Sequence, residues 1–138
     1  MSTPHQARFF AHALTLRRPS DDVGKFAATL ADARVDLNPH QVDASLFAFR
    51  SPLSNGAILA DEVGLGKTIE AGILLSQKWA ERGRRLLVIV PASLRKQWHQ
   101  ELEEKFHLPS VILEKRSFDQ AIASGNLNPF NNPERIVI

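Results

Sequence analysis

Glycine, lysine and threonine stand close together in one short segment of the chain. Gly64 and Gly66 precede Lys67 and Thr68 in Asp61-Glu-Val-Gly-Leu-Gly-Lys-Thr68. Glycines let the backbone curl closely around an anion, because no Cβ intervenes. A lysine ammonium can reach the β- and γ-phosphates of a nucleotide, and a threonine hydroxyl is a suitable Mg²⁺ ligand. These residue types at this spacing indicate a loop that binds phosphate groups together with Mg²⁺.

The elements expected around this loop support the same chemistry. The apolar run Gly56–Ala60 predicts a buried strand before the loop, and a helical stripe predicts a helix from about Lys67 to Ala80. Its inner face would hold Ile69, Ile73, Leu75 and Trp79. The first N–H groups of a helix have no partner inside it, and the helix dipole adds positive charge there. A bare Gly-Lys-Thr is more often a turn, but between a strand and a helix it favours phosphate binding.

The first position of the loop departs from the general pattern G-x-x-x-x-G-K-[ST]. Asp61 stands where that pattern has glycine, and Glu62 adds a second acid. Like-charge repulsion disfavours carboxylates beside phosphates. We therefore expect both carboxylates to point away from the phosphates, and we assign neither of them a catalytic role.

Further strands and helices follow the loop in alternation. Strands are predicted at Leu86–Val90, Val111–Leu113 and Arg135–Ile138, the first of them covered on both faces. A helical stripe comprises Leu94, Trp98, Leu102 and Phe106, and Ser117 with Gln120 predicts the cap of a short helix ending near Gly125. Residues 126–133 form a polar loop. This alternation predicts an α/β fold with a parallel sheet flanked by helices and joined by right-handed crossovers.

Three helix starts are predicted before the loop, at Thr3, at Ser20 with Asp21, and at Asn38. Thr3 and Gln6 form a capping pair around Pro4, and residues 1–37 read as a helical amino-terminal segment without site chemistry. Asn38 and Gln41 repeat that pattern around Pro39. Taken alone, Gln41 is best explained as a capping glutamine. We accordingly divide the chain into 1–37 and 38–138.

Composition excludes several classes of protein. The 138 residues, 43% of them hydrophobic, are enough for one compact domain, and the absence of cysteine excludes disulfides. No apolar run approaches the roughly 20 residues that cross a bilayer, and no secretory signal is recognisable. We therefore expect a cytoplasmic protein with no membrane partner. The five histidines show no metal-ligand spacing and are expected at the surface or at caps.

Positive charge is concentrated in one stretch although the net charge is only +2. The stretch contains Lys78, Arg82, Arg84, Arg85, Arg95 and Lys96, with Glu81 as its one acid. A solvated face and a surface for an anionic partner explain this stretch about equally well.

At this point the chain resembles a known family. The segment from Asp61 to Thr68, including its acidic pair, is similar to the nucleotide-binding motif of Swi/Snf-type ATPases. These are DNA translocases of helicase superfamily two, and the bacterial RapA-like branch is the most similar. Asn38-Pro-His-Gln41 resembles the upstream glutamine motif of that family, and Val88-Ile-Val-Pro-Ala-Ser-Leu94 with Gln97-Trp98 resembles its second motif. The resemblance covers residues 38–106 in the right order.

The resemblance implies a role for each matching residue. ATP and Mg²⁺ would be held by the loop Asp61, Glu62, Val63, Gly64, Leu65, Gly66, Lys67 and Thr68, with Lys67 as the catalytic lysine and Thr68 on the metal. Gln41 would contact adenine, which beside the loop we favour over capping alone. Ser93, Arg95 and Lys96 would face the DNA backbone. Residues 38–138 would form an incomplete first RecA-like ATP-binding lobe.

The family needs parts that do not occur in these residues. No Asp-Glu motif that holds Mg²⁺ and orients water follows residue 68, and Glu103-Glu104 lies mid-helix. We therefore expect an amino-terminal piece of a longer motor with negligible ATP hydrolysis alone. The partners implied are ATP, double-stranded DNA for the full-length parent, and further proteins. Two alternatives stay open: another small P-loop enzyme, or a non-catalytic interaction fragment with a relic loop.

Overall fold

A computed structural model of the chain describes residues 3–15, 24, 38–50, 56–60 and 66–138. The first helix, α1, spans Pro4–Thr15. Its start is closed by a reciprocal cap, in which Thr3 N–H donates to Gln6 Oε1 at 2.9 Å and Gln6 N–H donates to Thr3 Oγ1 at 3.2 Å. This cap confirms the helix start predicted at Thr3. Apart from residue 24, the remainder of the predicted segment 1–37 lies outside the described residues.

Three further helices surround the core. Helix α2 spans Pro39–Arg50, α3 spans Lys67–Ala80 and α4 spans Arg95–Phe106, preceded by a 3₁₀ turn at Ala92–Leu94. The bounds of α3 match those predicted from its apolar stripe. The side chains buried between the helices and the sheet are Ile69, Ile73, Leu102, Phe106, Leu108, Ile136 and Ile138.

Helices α3 and α4 approach closely where a glycine meets an aromatic ring. Gly72 is buried in α3, and a Cβ built at this position would lie against the Phe106 ring, 2.8 Å from its Cδ2. Since no larger side chain fits without displacing the ring, Gly72 sets the separation of the two helices.

A parallel sheet follows in an order that differs from the order of the chain. Strand β1 spans Ser110–Val111 and β2 spans Ile136–Val137, paired in parallel with Ser110 opposite Ile136. On its other edge, β2 makes a parallel bridge between Val137 and Leu87, with Val88 N–H donating to Val137 O at 2.8 Å. The latest strand in sequence therefore lies between two earlier segments. The prediction of a parallel α/β arrangement is confirmed.

Two strand predictions are wrong: one predicted strand does not form, and the other pairs at a single residue. Residues 56–60 form no strand, and Ile58 is 88% exposed. The segment Leu86–Val90 makes only the bridge at Leu87, and Ile89 is 87% exposed while Val88 packs against the core. An apolar run predicts burial only where a neighbouring layer comes to cover it. In the part of the chain described, such a layer covers one face of 86–90 and not the other.

The short helix before β2 begins earlier than predicted. Helix α5 spans Lys115–Ala123, and its cap joins Glu114 to Ser117, since Glu114 N–H donates to Ser117 Oγ at 2.9 Å. The predicted pair of Ser117 with Gln120 is wrong, because Ser117 is the third helical residue and not the cap. The polar loop 126–133 is confirmed, and Asn132 Oδ1 accepts from Glu134 N–H and Arg135 N–H at 3.0 Å. Among the described helices, none has the length and apolar character needed to cross a membrane.

Candidate functional site

The start of α3 has the backbone geometry expected of an anion-binding turn. Gly66 precedes the helix with φ 90° and ψ 36°, in the left-handed region that favours glycine. Its carbonyl accepts hydrogen bonds from Ile69 N–H at 2.7 Å and Glu70 N–H at 3.2 Å, which closes the first turn. Gly66 therefore directs the chain into α3.

Gln41 lies against this turn although it is distant in sequence. Its side chain is buried, and its Nε2 atom occupies the space into which a Cβ on Gly66 would project. Its Oε1 atom accepts a hydrogen bond from Asn38 N–H at 3.2 Å. The amide therefore acts as the predicted cap of α2 with one end and reaches the α3 turn with the other. The two motifs predicted to share one ligand are adjacent.

A serine links α2 to α3 one turn further along. The Ser45 hydroxyl is fully buried, donates to Gln41 O at 2.8 Å, and lies 3.5 Å from Glu70 O. Because a hydroxyl has a single proton, the shorter bond is the principal one. Ser45 therefore bonds within α2, and its buried hydroxyl packs beside the Glu70 carbonyl in the first turn of α3.

Glu70 is a buried acid that the sequence analysis did not single out. Its side chain is fully buried in the first turn of α3, where a negative charge is favoured by the helix dipole. A signal was present in the sequence. Glu70 is next to the inner-face Ile69 and three positions before Ile73, a spacing that places it beside the buried stripe.

The remaining loop residues divide into described and undescribed ones. Lys67 and Thr68 are half-buried in the first turn of α3. The other predicted ligand positions, Asp61, Glu62, Val63, Gly64 and Leu65, lie outside the described residues. The Lys67 ammonium and the amino terminus of α3 are suited to a phosphate group. The Thr68 hydroxyl is suited to Mg²⁺, which prefers oxygen ligands.

Ser93, Arg95 and Lys96 form a second and separate group. Ser93 is exposed in the 3₁₀ turn and Lys96 is exposed in the first turn of α4. Arg95 Nη1 lies 3.6 Å from Glu114 Oε1, and Arg95 Nε donates to Ala92 O at 3.4 Å. Within the described elements, the 3₁₀ turn does not contact α3. This separation is shown for Ser93 alone, since α4, which carries Arg95 and Lys96, does contact α3.

An apolar cavity of about 520 Å³ opens beside Arg95. Its walls include Leu87, Ile89, Leu113, Phe130 and Val137. The sequence analysis did not anticipate it, because the segment Leu86–Val90 was expected to be covered on both faces. The cavity is the uncovered face of the sheet, and its lining offers little polar chemistry.

His99 departs from the surface position expected of the histidines. The ring is half-buried, its Nδ1 lies 2.7 Å from Ser110 Oγ, and its Nε2 lies 3.9 Å from Glu103 Oε2. Ser110 is fully buried, so this triple links α4 to β1 and offers no accessible nucleophile. Among the described residues, no group of three or more His, Cys, Asp and Glu side chains could hold a metal ion.

Comparison with known proteins adds to this geometry. The model of the SNF2-related domain matches residues 5–133. RNA polymerase-associated protein RapA of Pasteurella multocida is 37% identical over 112 residues, which are 78% of this chain and 12% of that protein. The uncharacterized ATP-dependent helicase YqhH of Bacillus subtilis is 47% identical over 79 residues, 56% of this chain and 14% of that protein.

The family model and these relatives together support a helicase-like ATPase family, with which the parallel α/β core agrees. Specifically, the chain belongs to the SNF2-related domain family. The expected resemblance to Swi/Snf-type ATPases of the RapA-like branch is confirmed. The chain spans about an eighth of the length of these curated relatives, since the covered shares are 12% and 14%.

Proposed function

We propose that the chain is the ATP- and Mg²⁺-binding part of a DNA-dependent ATPase that moves along duplex DNA. The observation that carries the proposal is the contact between the Gln41 amide and Gly66. A glutamine suited to read a base and a turn suited to hold phosphates meet at the amino end of one helix. The ATP-dependent helicase among the relatives supports the same ligand.

Each residue has a defined part in this proposal. The glycines at 64 and 66 curve the backbone around the phosphates, and Lys67 neutralises the β- and γ-phosphates. Thr68 would supply an oxygen ligand to Mg²⁺, whose charge would offset that of the phosphates. Gln41 contacts adenine through the end of its amide that faces Gly66. Asp61, Glu62, Val63 and Leu65 complete the loop.

DNA would contact the separate group of Ser93, Arg95 and Lys96. Basic residues in the first turn of a helix oppose its dipole, and an anionic partner relieves that conflict. The Arg95 guanidinium is already oriented, because its Nε donates to Ala92 O at 3.4 Å and its Nη1 lies 3.6 Å from Glu114 Oε1. Residues 38–138 would be part of a RecA-like lobe that binds ATP and does not hydrolyse it alone, because hydrolysis needs a positioned water and a second acidic motif.

Binding of a fluorescent ATP analogue in the presence of Mg²⁺ tests the proposal. We expect saturable binding that competes with ATP and is lost on Lys67→Ala. Lys105→Ala is the matched control, since Lys105 lies in α4 and pairs with Glu101 at 3.2 Å. Absence of binding to the unaltered chain, or equal binding after Lys67→Ala, would contradict the proposal.

A further inference from the structure

Five lysine and arginine residues lie at the end of α3 and just before two neighbouring segments of the sheet. Lys78 lies in the last turn of α3, Arg82 and Arg84 follow that helix, and Arg85 immediately precedes the segment that pairs with β2. Arg135 immediately precedes β2 itself. Since parallel strands begin at the same edge of a sheet, these residues share the amino edge. We call Lys78, Arg82, Arg84, Arg85 and Arg135 the basic edge.

The register of the sheet brings two arginines of the basic edge together. Leu87 pairs in parallel with Val137, and Val137 N–H donates to Leu86 O at 3.1 Å. Arg85 and Arg135 each stand two residues before these partners, and both are exposed. Neighbouring strands lie roughly 4.8 Å apart, and like charges opposite one another are destabilising. This repulsion does not help the fold, so it points to an anionic partner.

Among the described segments 78–85 and 134–135, acidic residues are fewer than the cations. Glu81 has a side chain only 15% exposed, and it is engaged with Lys78 Nζ at 3.8 Å and Gln77 Nε2 at 2.9 Å. Glu134 is the other acid in the segments 78–85 and 134–135, so five cations face two carboxylates. A cation near a helix carboxyl terminus is favourable by itself, but this explains Lys78 and not Arg85 or Arg135.

The backbone beneath these cations is fixed. Gly83 N–H donates to Lys78 O at 2.8 Å, and Arg82 adopts a positive φ of 63° in the same turn. The Arg84 guanidinium lies over the Trp79 ring, 4.0 Å from its centroid. Asn132 accepts from Arg135 N–H at 3.0 Å. The contact with Trp79 orders the Arg84 guanidinium, and an ordered side chain loses less entropy on binding an anion than a mobile one does.

We propose that the basic edge binds the phosphodiester backbone of duplex DNA. Arginine pairs with phosphate through two parallel hydrogen bonds. The exposed large apolar side chains of the described residues lie outside 78–86 and 134–136, so the edge has no apolar centre of the kind found in protein interfaces. The site is distinct from Ser93, Arg95 and Lys96, which follow the opposite, carboxyl end of strand segment 86–90. The chain thus contacts DNA at two edges of its sheet.

The test compares two pairs of substitutions that remove the same charge. Arg85→Gln with Arg135→Gln alters the basic edge, and Lys115→Gln with Arg116→Gln alters exposed cations in the first turn of α5. Binding to a labelled DNA duplex of two helical turns is measured by anisotropy over a salt series. We expect the first pair to weaken binding at low salt at least threefold more than the second, and to lower the salt slope by about 1 to 2.

Several results would overturn this inference. Equal loss with both pairs would show a response to net charge alone. A general anion-binding surface would be shown if polyglutamate bound the chain as tightly as the duplex does and if the Arg85→Gln, Arg135→Gln variant lost affinity for both ligands equally. No duplex binding by the unaltered chain would also overturn it. Loss with Lys96→Gln but not with the first pair would retain the proposed function while excluding the basic edge. Matched thermal midpoints show that all variants are folded.

Discussion

The Gln41 amide fills the space beside Gly66 that a methyl group would need. Two residues 25 positions apart, by their numbers, thus depend on each other's shape. Gly66 must remain glycine both for its φ of 90° and for this contact. The contact also fixes the side of the turn on which α2 lies, and so places the glutamine against the proposed phosphate loop.

Replacing Gly66 with alanine is therefore expected to be costly. Strain in the left-handed region and displacement of Gln41 together predict a loss of about 1–3 kcal/mol in the free energy of unfolding. Gly56→Ala is the matched control, because a Cβ there meets nothing within 4 Å. Urea denaturation of both variants measures the difference. Equal stability of the two variants would refute the proposed packing, and binding of the ATP analogue should fall only with Gly66→Ala.

The dual position of Gln41 makes a second prediction. Gln41→Ala removes the acceptor for Asn38 N–H and should cost about 0.5–1 kcal/mol of stability as a lost cap. If the amide also reads adenine, the variant should bind ATP about tenfold more weakly while its affinity for inorganic tripolyphosphate changes little. Gln100→Ala, at an exposed position of α4, is the control. Equal weakening for both ligands would assign Gln41 to the cap alone.

Gly72 and Phe106 provide a test of the core. Gly72→Ala places a methyl group against the Phe106 ring, and overpacking of this kind costs about 1–3 kcal/mol. Phe106→Leu should relieve part of that cost in the double variant while leaving its own cavity. A thermodynamic cycle over the four proteins measures the coupling. Additive effects would mean that the ring does not rest on the glycine.

The cap of α5 distinguishes the observed helix start from the one expected from sequence. Ser117→Ala removes the acceptor of Glu114 N–H and should lower stability by about 0.5–1 kcal/mol. Gln120→Ala should be neutral, since Gln120 lies in the exposed interior of the helix. Thermal melts of the two variants give the comparison. The opposite ranking would restore the expected cap of Ser117 with Gln120.

Local sequence patterns predicted the starts of α1, α2 and α3, although they misplaced the cap of α5. The bounds of α3 and the reciprocal cap of Thr3 with Gln6 follow from side chains within one or two turns of each other. The glycine turn and the start of α2 at Pro39 were predictable for the same reason. The helix-cap interpretation of Gln41 agrees with the structure, which also places its amide against Gly66, and its contact with adenine stays a prediction.

Relations between distant segments were predicted less well. The exposure of Ile58 and Ile89 depends on which layers cover 56–60 and 86–90, and an apolar run carries no information about its neighbours. The pairing of Val137 with Leu87, and hence the proximity of Arg85 to Arg135, depends on sheet order. Burial of Glu70 was visible in its spacing, but an acid is seldom assigned to an inner face.

The central place of β2 has a consequence for the time course of folding. Both partners of β2, Leu86–Val88 and Ser110–Val111, precede it in the chain. The bridge between Leu87 and Val137 cannot form until the 49 residues between them have been synthesised. Contacts of such long sequence separation form late and slowly. A ribosome therefore releases both edges before the strand that joins them exists. In that interval the apolar segment 86–90 depends on the helices, or on a chaperone, to avoid association with other chains.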